Sequence, residues 1–483
     1  MEYNPFNKSL GELNEVDLKG LLEHEIAEGW YIEYKSSVPK SGTTRLDQNK
    51  ISKSISSFAN TKGGWIFWGI STSNDSNKPL SIDGVDLTGF SNFEDQVAQV
   101  INSNISPRPA YHFKRVELET RKTVFVIQVE ESPTPPYITS QGVIYQRENN
   151  ESKPIRDRYI IEKLNEKADS YYEAIERFTV LDLPQTKGQN DWNQTYLELY
   201  LMPLPFDSFR FEKFYHSDFF QKVAARFYMN VDVNFLFEGE PTKIVPLNLG
   251  FNSIFSSERS LIIRPLSEKN LIYKSTTVEL FENGNLKVLL PLFEFDAKSI
   301  PEHYKNSKTI EYLLDKYSPL ETIARRSFYP GHSNYDTPPT TGRKETDFVN
   351  HIKFIDGLEL IFAIMIIIAK YKSVLEDSNF DLEINIGFRS RITDSWRKFV
   401  FFDDDDYLEK IKLYNIPLSP KSEIEIPEFK KGSGYKIKLN DNHAYFDIAK
   451  FILEGIGLPD SHSIKFADIL KKGAEHFKTK EDN

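Results

Sequence analysis

Glu28, Glu33 and Lys35 stand together in the stretch EGWYIEYK and are residue types that phosphodiester chemistry uses. If Trp30 to Tyr34 is a strand, side chains two apart point the same way, so Glu33 and Lys35 share one face of a sheet. Two neighbouring carboxylates can hold a divalent cation through hard oxygen ligands, and an adjacent ammonium can steady a phosphate or the charge that develops during attack. The ordinary alternative is a surface ion pair that contributes little. From Lys35 to Lys62 the cations Lys35, Lys40, Arg45, Lys50, Lys53 and Lys62 meet a single acid, Asp47. Cation gathered beside two glutamates suits a phosphate backbone. Arg147, with Arg108 and Arg156, extends this patch in sequence order.

The elements that must position these residues are legible as periodicity. Leu13 to Ile26 has helical spacing in Leu18, Leu21, Leu22 and Ile26, which puts Glu28 at a helix end. Gln48 to Asn60 is helical, with Ile51, Ile55, Phe58 and Ala59 on one stripe, and Lys62-Gly63-Gly64 stops it. Trp65 to Ile70 is a continuous apolar strand, the pattern of a sheet covered on both faces, and Ser71 to Asn77 reads as a loop. Further elements are a helix over Phe93 to Ile101, strands over Tyr111 to Leu118, Thr123 to Val129 and Val143 to Arg147, and a helix over Ile155 to Phe178. This predicts an N-terminal α/β domain over 1–180, a polar linker over 181–194 centred on LPQTKGQNDWN, and a mixed α/β region of one or two domains over 195–483, with a possible split near 340. In that region Glu282 to Asn285 is a hairpin turn, Phe348 to Val374 one long helix, and Tyr445 to Gly455 another helix. Leu360 to Ala369 is too short an apolar run for the roughly 20 residues of a membrane span and reads as a core helix. The four acids Asp403 to Asp406 read as a solvated turn.

The series from Glu28 to Lys35, then ISKSISSFANTKGG (Ile51 to Gly64), WIFWGI, ISPRP (Ile105 to Pro109) and the Pro136–Ile138 and Ile144–Arg147 pieces resembles the Schlafen-type AlbA_2 domain, over about residues 14–165. The resemblance implies nucleic-acid binding and, in the Schlafens, a metal-dependent endoribonuclease that cuts transfer RNA with three acids. By that likeness Glu28, Glu33 and Asp75 would hold Mg²⁺ or Mn²⁺, Lys35 would serve the same chemistry, and Lys40, Arg45, Lys50, Lys53, Lys62 and Arg147 would contact nucleic acid. The family's third acid follows the strand equivalent to Trp65–Ile70. Here Ser71-Thr72-Ser73-Asn74 intervenes before Asp75, so Asp75 has slipped, Asp83 substitutes, or the site binds without cutting.

Composition bounds the rest. The chain has 483 residues and a net charge of −11, so any nucleic-acid contact is a local patch and not a cationic coat. At roughly 150 residues per domain, the length implies about three domains, or two with long insertions. The absence of cysteine excludes zinc fingers, iron–sulfur clusters and thiol nucleophiles. No Walker-type G-x4-G-K-[ST] surrounds Lys62, so ATP is not expected, and neither H-x3-H nor G-x-S-x-G occurs. The expectation is a soluble cytoplasmic protein, without a secretory signal. It would be a Schlafen-like nuclease acting on RNA in antiviral defence or stress response. The alternatives are a non-cutting DNA or RNA regulator, or an effector held as a homodimer or by a protein partner through its C-terminal region.

Overall fold

The computed structural model describes residues 3–6, 8–41, 45–73, 75–87, 92–180, 194–228, 251–265, 276–296, 299–317, 353–382, 384–393, 398–414, 423–426, 436–439, 444–456 and 458. The protein is mixed α/β and divides into two units, Met1–Arg177 and Phe178–Asn483. The expected linker falls almost wholly on 181–193, and the expected split near 340 on 318–352, both outside the described residues.

In the first unit, four strands form a sheet in the order Ile32–Lys35, Gly64–Trp68, Thr123–Val129, Tyr111–Glu117. The first pair is parallel and the others are antiparallel. The central strand has no polar face because both faces are covered. Ile66 and Trp68 pack with Ile51, Ile55 and Phe58 of the helix Gln48–Ala59 and with Phe93 and Val97 of the helix Phe93–Asn104. Trp65 and Phe67 pack on the opposite side with Ile32, Tyr34 and Leu18 and Leu21 of the helix Glu15–Glu23. Each such side chain contributes about 1.5–3 kcal/mol by leaving water.

Three local boundaries differ from the sequence expectation. The first helix ends at Glu23, because Glu25 adopts φ 48° and the amides of Glu25 and Ile26 turn back to the carbonyls of Leu22 and Leu21. This is a Schellman closure without glycine, and it leaves Glu28 in the link after the helix and not at its end. The run Trp65 to Ile70 breaks at Gly69, φ +112°, where a Cβ would lie 3.0 Å from the Gly84 Cα. Ile70–Thr72 then pairs with Pro79–Ile82, so part of the expected Ser71–Asn77 loop is strand.

The second unit is built on an antiparallel sheet in the order Ser253–Ser256, Ser260–Arg264, Thr277–Phe281, Leu286–Pro291, Tyr196–Pro203, Asn385–Thr393, Glu423–Ile426, with Lys436–Lys438 also pairing with Asn385–Thr393. The turn at Glu282 to Asn285 closes a hairpin, with Gly284 at φ +79°. The expected long helix begins at Gly357, because Lys353–Asp356 is a strand between Glu294–Asp296 and Lys398–Phe401, and the Asp356 carboxylate caps the amides of Leu358 and Glu359. Residues Leu360 to Ile368 are buried on every side, as the core reading requires. Asp403 to Asp406 is a helix start and not a solvated turn: Asp404 accepts from the amides of Asp406 and Tyr407 at the head of the helix Asp405–Tyr414. Among the described residues no helix is long and apolar enough to cross a membrane.

Candidate nucleic-acid interface

Strand geometry gives Glu33 and Lys35 one face, and they meet there, with the Lys35 Nζ 3.0 Å from Glu33 Oε1. That face lies under the helix Gln48–Ala59, so Glu33 is only 3% exposed. A buried carboxylate must be compensated. Arg147 Nη1 donates to Glu33 Oε2 at 2.6 Å and the Ser54 hydroxyl donates to Oε1 at 2.9 Å. Burial pushes the Glu33 carboxyl up, but the charges of Lys35 and Arg147 and the bonds from Lys35 and Ser54 outweigh it and hold the group below its ordinary value.

Arg147 is 1% exposed, and its guanidinium is spread over backbone as well as charge. Nε donates to the Gly29 carbonyl at 3.1 Å and Nη2 to the Ile32 carbonyl at 3.1 Å, while the plane lies 4.7 Å from the Phe58 ring centroid. The Ile32–Lys35 strand is the edge of its sheet, and its outward groups need partners. Arg147 takes the Ile32 carbonyl, and Glu28 Oε1 accepts from the outward amide of Tyr34 at 2.9 Å. Glu28 is half-buried, and burial raises its carboxyl above the ordinary value against the pull of the Tyr34 amide and Lys35.

The SFANTKGG element holds this arrangement from behind. The Asn60 side chain donates to the carbonyls of Tyr137 and Tyr145 and accepts from the Tyr137 amide, and the Thr61 hydroxyl accepts from the Arg147 amide at 2.9 Å. Gly64, at φ +153°, has no room for a Cβ, which would fall 2.6 Å from the Phe58 ring and from the Tyr31 carbonyl oxygen.

A pocket of about 610 Å³ opens beside Glu33. Lys35, Lys50, Lys53 and Arg147 line it against Glu33 and Glu151, with Ser54, Asn150 and Ser152 as neutral polar wall. Lys50 and Lys53 are exposed, Lys50 lying 3.5 Å from Asp47 and Lys53 5.6 Å from the Tyr145 ring centroid. Lys40 and Arg45 are exposed on the strand pair Lys40–Ser41 and Arg45–Leu46, next to Pro39 of the pocket wall. Lys62 is exposed and pairs with Glu131, away from the pocket lining. Arg108 and Arg156 are exposed and are not part of the lining either. Asp75 is exposed in the turn whose Asn77 carbonyl accepts from the Glu28 amide, and Asp83 is exposed and accepts from the Ser81 hydroxyl.

Sequence reasoning placed Glu33 and Lys35 but missed Ser54 and the role of Arg147 as the counter-charge of Glu33. Ser54 carried a signal: it lies three residues after Ile51 and one before Ile55, on the side of the helix that faces the sheet. Nothing in the sequence pairs Arg147 with a residue 114 positions earlier.

The acids do not fit a divalent cation as they are placed. A Mg²⁺ ion seeks about six oxygen donors, whereas both oxygens of Glu33 already accept from Arg147, Lys35 and Ser54. Glu28 is turned to the Tyr34 amide. Among the described residues no three Asp, Glu or His side chains come together in a metal-holding group.

No curated protein matches the chain. The crystal structure of the DIP2311 protein from Corynebacterium diphtheriae is similar at 15% identity and a TM-score of 0.20, over 29% of this chain and 29% of that one. Residues 28–156 match the family model described as Schlafen, AlbA_2, which suggests nucleic-acid binding; the first unit carries that domain, and the rest of the chain is unassigned.

Proposed function

We propose that the first unit binds nucleic acid by drawing backbone phosphates to the pocket beside Glu33. The observation that carries this reading is the charge arrangement of the lining. Arg147 and Lys35 already balance Glu33, so the exposed ammoniums of Lys53 and of Lys50, the latter beside Asp47, face the pocket and can act on an anion. A chain with net charge −11 then presents a cationic patch where a phosphodiester would enter. The test is fluorescence anisotropy with RNA and DNA oligonucleotides over a salt series. Lys50→Glu with Lys53→Glu should weaken binding at least tenfold and flatten the salt dependence by about one unit of log–log slope for each phosphate no longer held. Unchanged affinity in that double variant would dismiss the pocket as the binding face.

The finer reading is a metal-dependent nuclease, with RNA or transfer RNA as substrate and a defence or stress role. The E-x4-E-x-K element supports it, and the occupied oxygens of Glu33 oppose it. Transfer RNA incubated with the full chain in Mn²⁺ and in EDTA decides between them. Fragments in Mn²⁺ alone favour the nuclease, and intact but retarded RNA in both favours binding without cleavage.

A further inference from the structure

We propose that Trp30 is a stacking platform for an unpaired base, and therefore that the nucleic acid held at the pocket is single-stranded where it passes the Glu33 strand. The inference rests on the binding reading above and adds the class of ligand.

Trp30 stands out from the aromatic residues around it. It is 45% exposed, whereas Trp65, Phe67, Trp68 and Tyr34 are at most 2% exposed. The indole of Trp65 donates to the Tyr3 carbonyl, and Trp65 and Trp68 stack with neighbouring rings. Among the described residues Trp30 has no such ring, cation or hydrogen-bond partner. An exposed indole offers a flat face on which a base can stack.

Its backbone is nevertheless held firmly. The Gly29 amide donates to the Ile32 carbonyl at 3.1 Å, the Gly29 carbonyl accepts from Arg147 Nε at 3.1 Å, and the Tyr31 carbonyl accepts from the Trp65 amide at 2.7 Å. Trp30 thus sits at the apex of a turn fixed on both sides. The same guanidinium that anchors this turn forms part of the pocket wall. A phosphate site and a flat apolar surface tied to one rigid group match the two needs of a single strand, backbone charge and base stacking. A duplex hides its base faces and would gain nothing from the indole.

The experiment measures full-length wild type, Trp30→Ala, Trp30→Phe and the Lys50→Glu/Lys53→Glu variant by anisotropy. The probes are oligo-U RNA, oligo-dT, an abasic strand of the same length and a blunt duplex. Removing one stacked base should cost about 10- to 100-fold. Trp30→Ala should therefore lose that much on whichever of oligo-U or oligo-dT the wild type binds and nothing on the abasic strand or duplex, with Trp30→Phe restoring most of it. If Trp30→Ala binds oligonucleotides like wild type while the lysine variant fails, the platform is wrong and the pocket reading stands. Equal losses on the abasic strand overturn the platform as well. If wild type binds none of the probes, or the lysine variant matches it, the reading beneath falls and takes the platform with it.

Discussion

Two buried carboxylates, Glu33 in the first unit and Asp356 in the second, are held in opposite ways. In the first, Glu33 is buried with a guanidinium, an ammonium and a hydroxyl on its oxygens and is held ionised, below its ordinary range. In the second, Asp356 is 1% exposed, takes the Tyr304 hydroxyl at 2.8 Å and two helix amides, and among the described residues no cation pairs with it. Burial therefore prevails and pushes Asp356 up to about 6, and burial with the nearby Asp356 pushes Glu359 up to about 7. Hydrogen bonds alone do not replace a counter-charge in a dry site. A compensated acid is indifferent to pH near neutrality, and an uncompensated one is not.

The strongest way to break the comparison is to take the counter-charge from the first unit. Arg147→Met leaves Glu33 buried with Lys35 as its remaining cation, strips the Gly29 carbonyl of its donor and leaves the Ile32 carbonyl with only the Gly29 amide. Losing one partner of a buried pair costs about 3–5 kcal/mol. Calorimetry of the full chain should show one transition lowered and the other unmoved, which also identifies the transition of the first unit. A shift below about 1 kcal/mol would mean that the pair is not the anchor of the edge strand.

The next effect is a pH slope, and its sign differs between the units. For Asp356 the protonated form is favoured by folding, so the folded state binds more protons than the unfolded one and stability falls as pH rises from about 4 to about 6, with Glu359 extending the fall toward 7. The upward shift of Asp356, from 3.8 to about 6, corresponds to roughly 3 kcal/mol. For Glu33 the depressed value acts the other way: its contribution is complete above the ordinary carboxylate range and fades only as pH drops toward the folded-state value. Acidifying from about pH 7.5 to about 5 should raise the melting temperature of the second unit, and that of the first only by the smaller contribution of the raised Glu28 carboxyl. Asp356→Asn, which keeps an oxygen for the helix amides, should shrink the slope and leave the part due to Glu359. An unaltered slope in that variant would place the titrating group elsewhere.

How far the sequence reached follows the same division. The pleat put Glu33 and Lys35 on one face, and the stripe Ile51, Ile55, Phe58 set the helix that covers them. Both are consequences of local periodicity. What covers Glu33 chemically was not legible, because Arg147 arrives from a hairpin far along the chain and its donors are divided by tertiary geometry alone. The end of the first helix was misplaced for a local reason. Its closing residue, Glu25, takes a left-handed conformation that sequence assigns to glycine or asparagine. In the second unit Asp356 looked like an ordinary residue of a long helix until the strand pairing of Lys353–Asp356 made it a cap.

The smallest effect separates stability from binding. Asp47 and Asp404 each cap a helix, Asp47 accepting from the Lys50 amide and Asp404 from those of Asp406 and Tyr407. Alanine at either should cost about 1 kcal/mol. Asp47 also lies 3.5 Å from the exposed ammonium of Lys50 in the pocket wall, a pair worth at most about 1 kcal/mol at the surface. Removing it hands that charge to an incoming phosphate. Asp47→Ala should therefore lower the first transition yet tighten oligonucleotide binding roughly two- to fivefold at low salt, an advantage that vanishes as salt screens it. Asp404→Ala should lower the second transition by a similar amount and leave binding unchanged. If Asp47→Ala weakens binding instead, the cap is what orients Lys50 and Lys53 on their helix, and the cation wall depends on helix order more than on net charge.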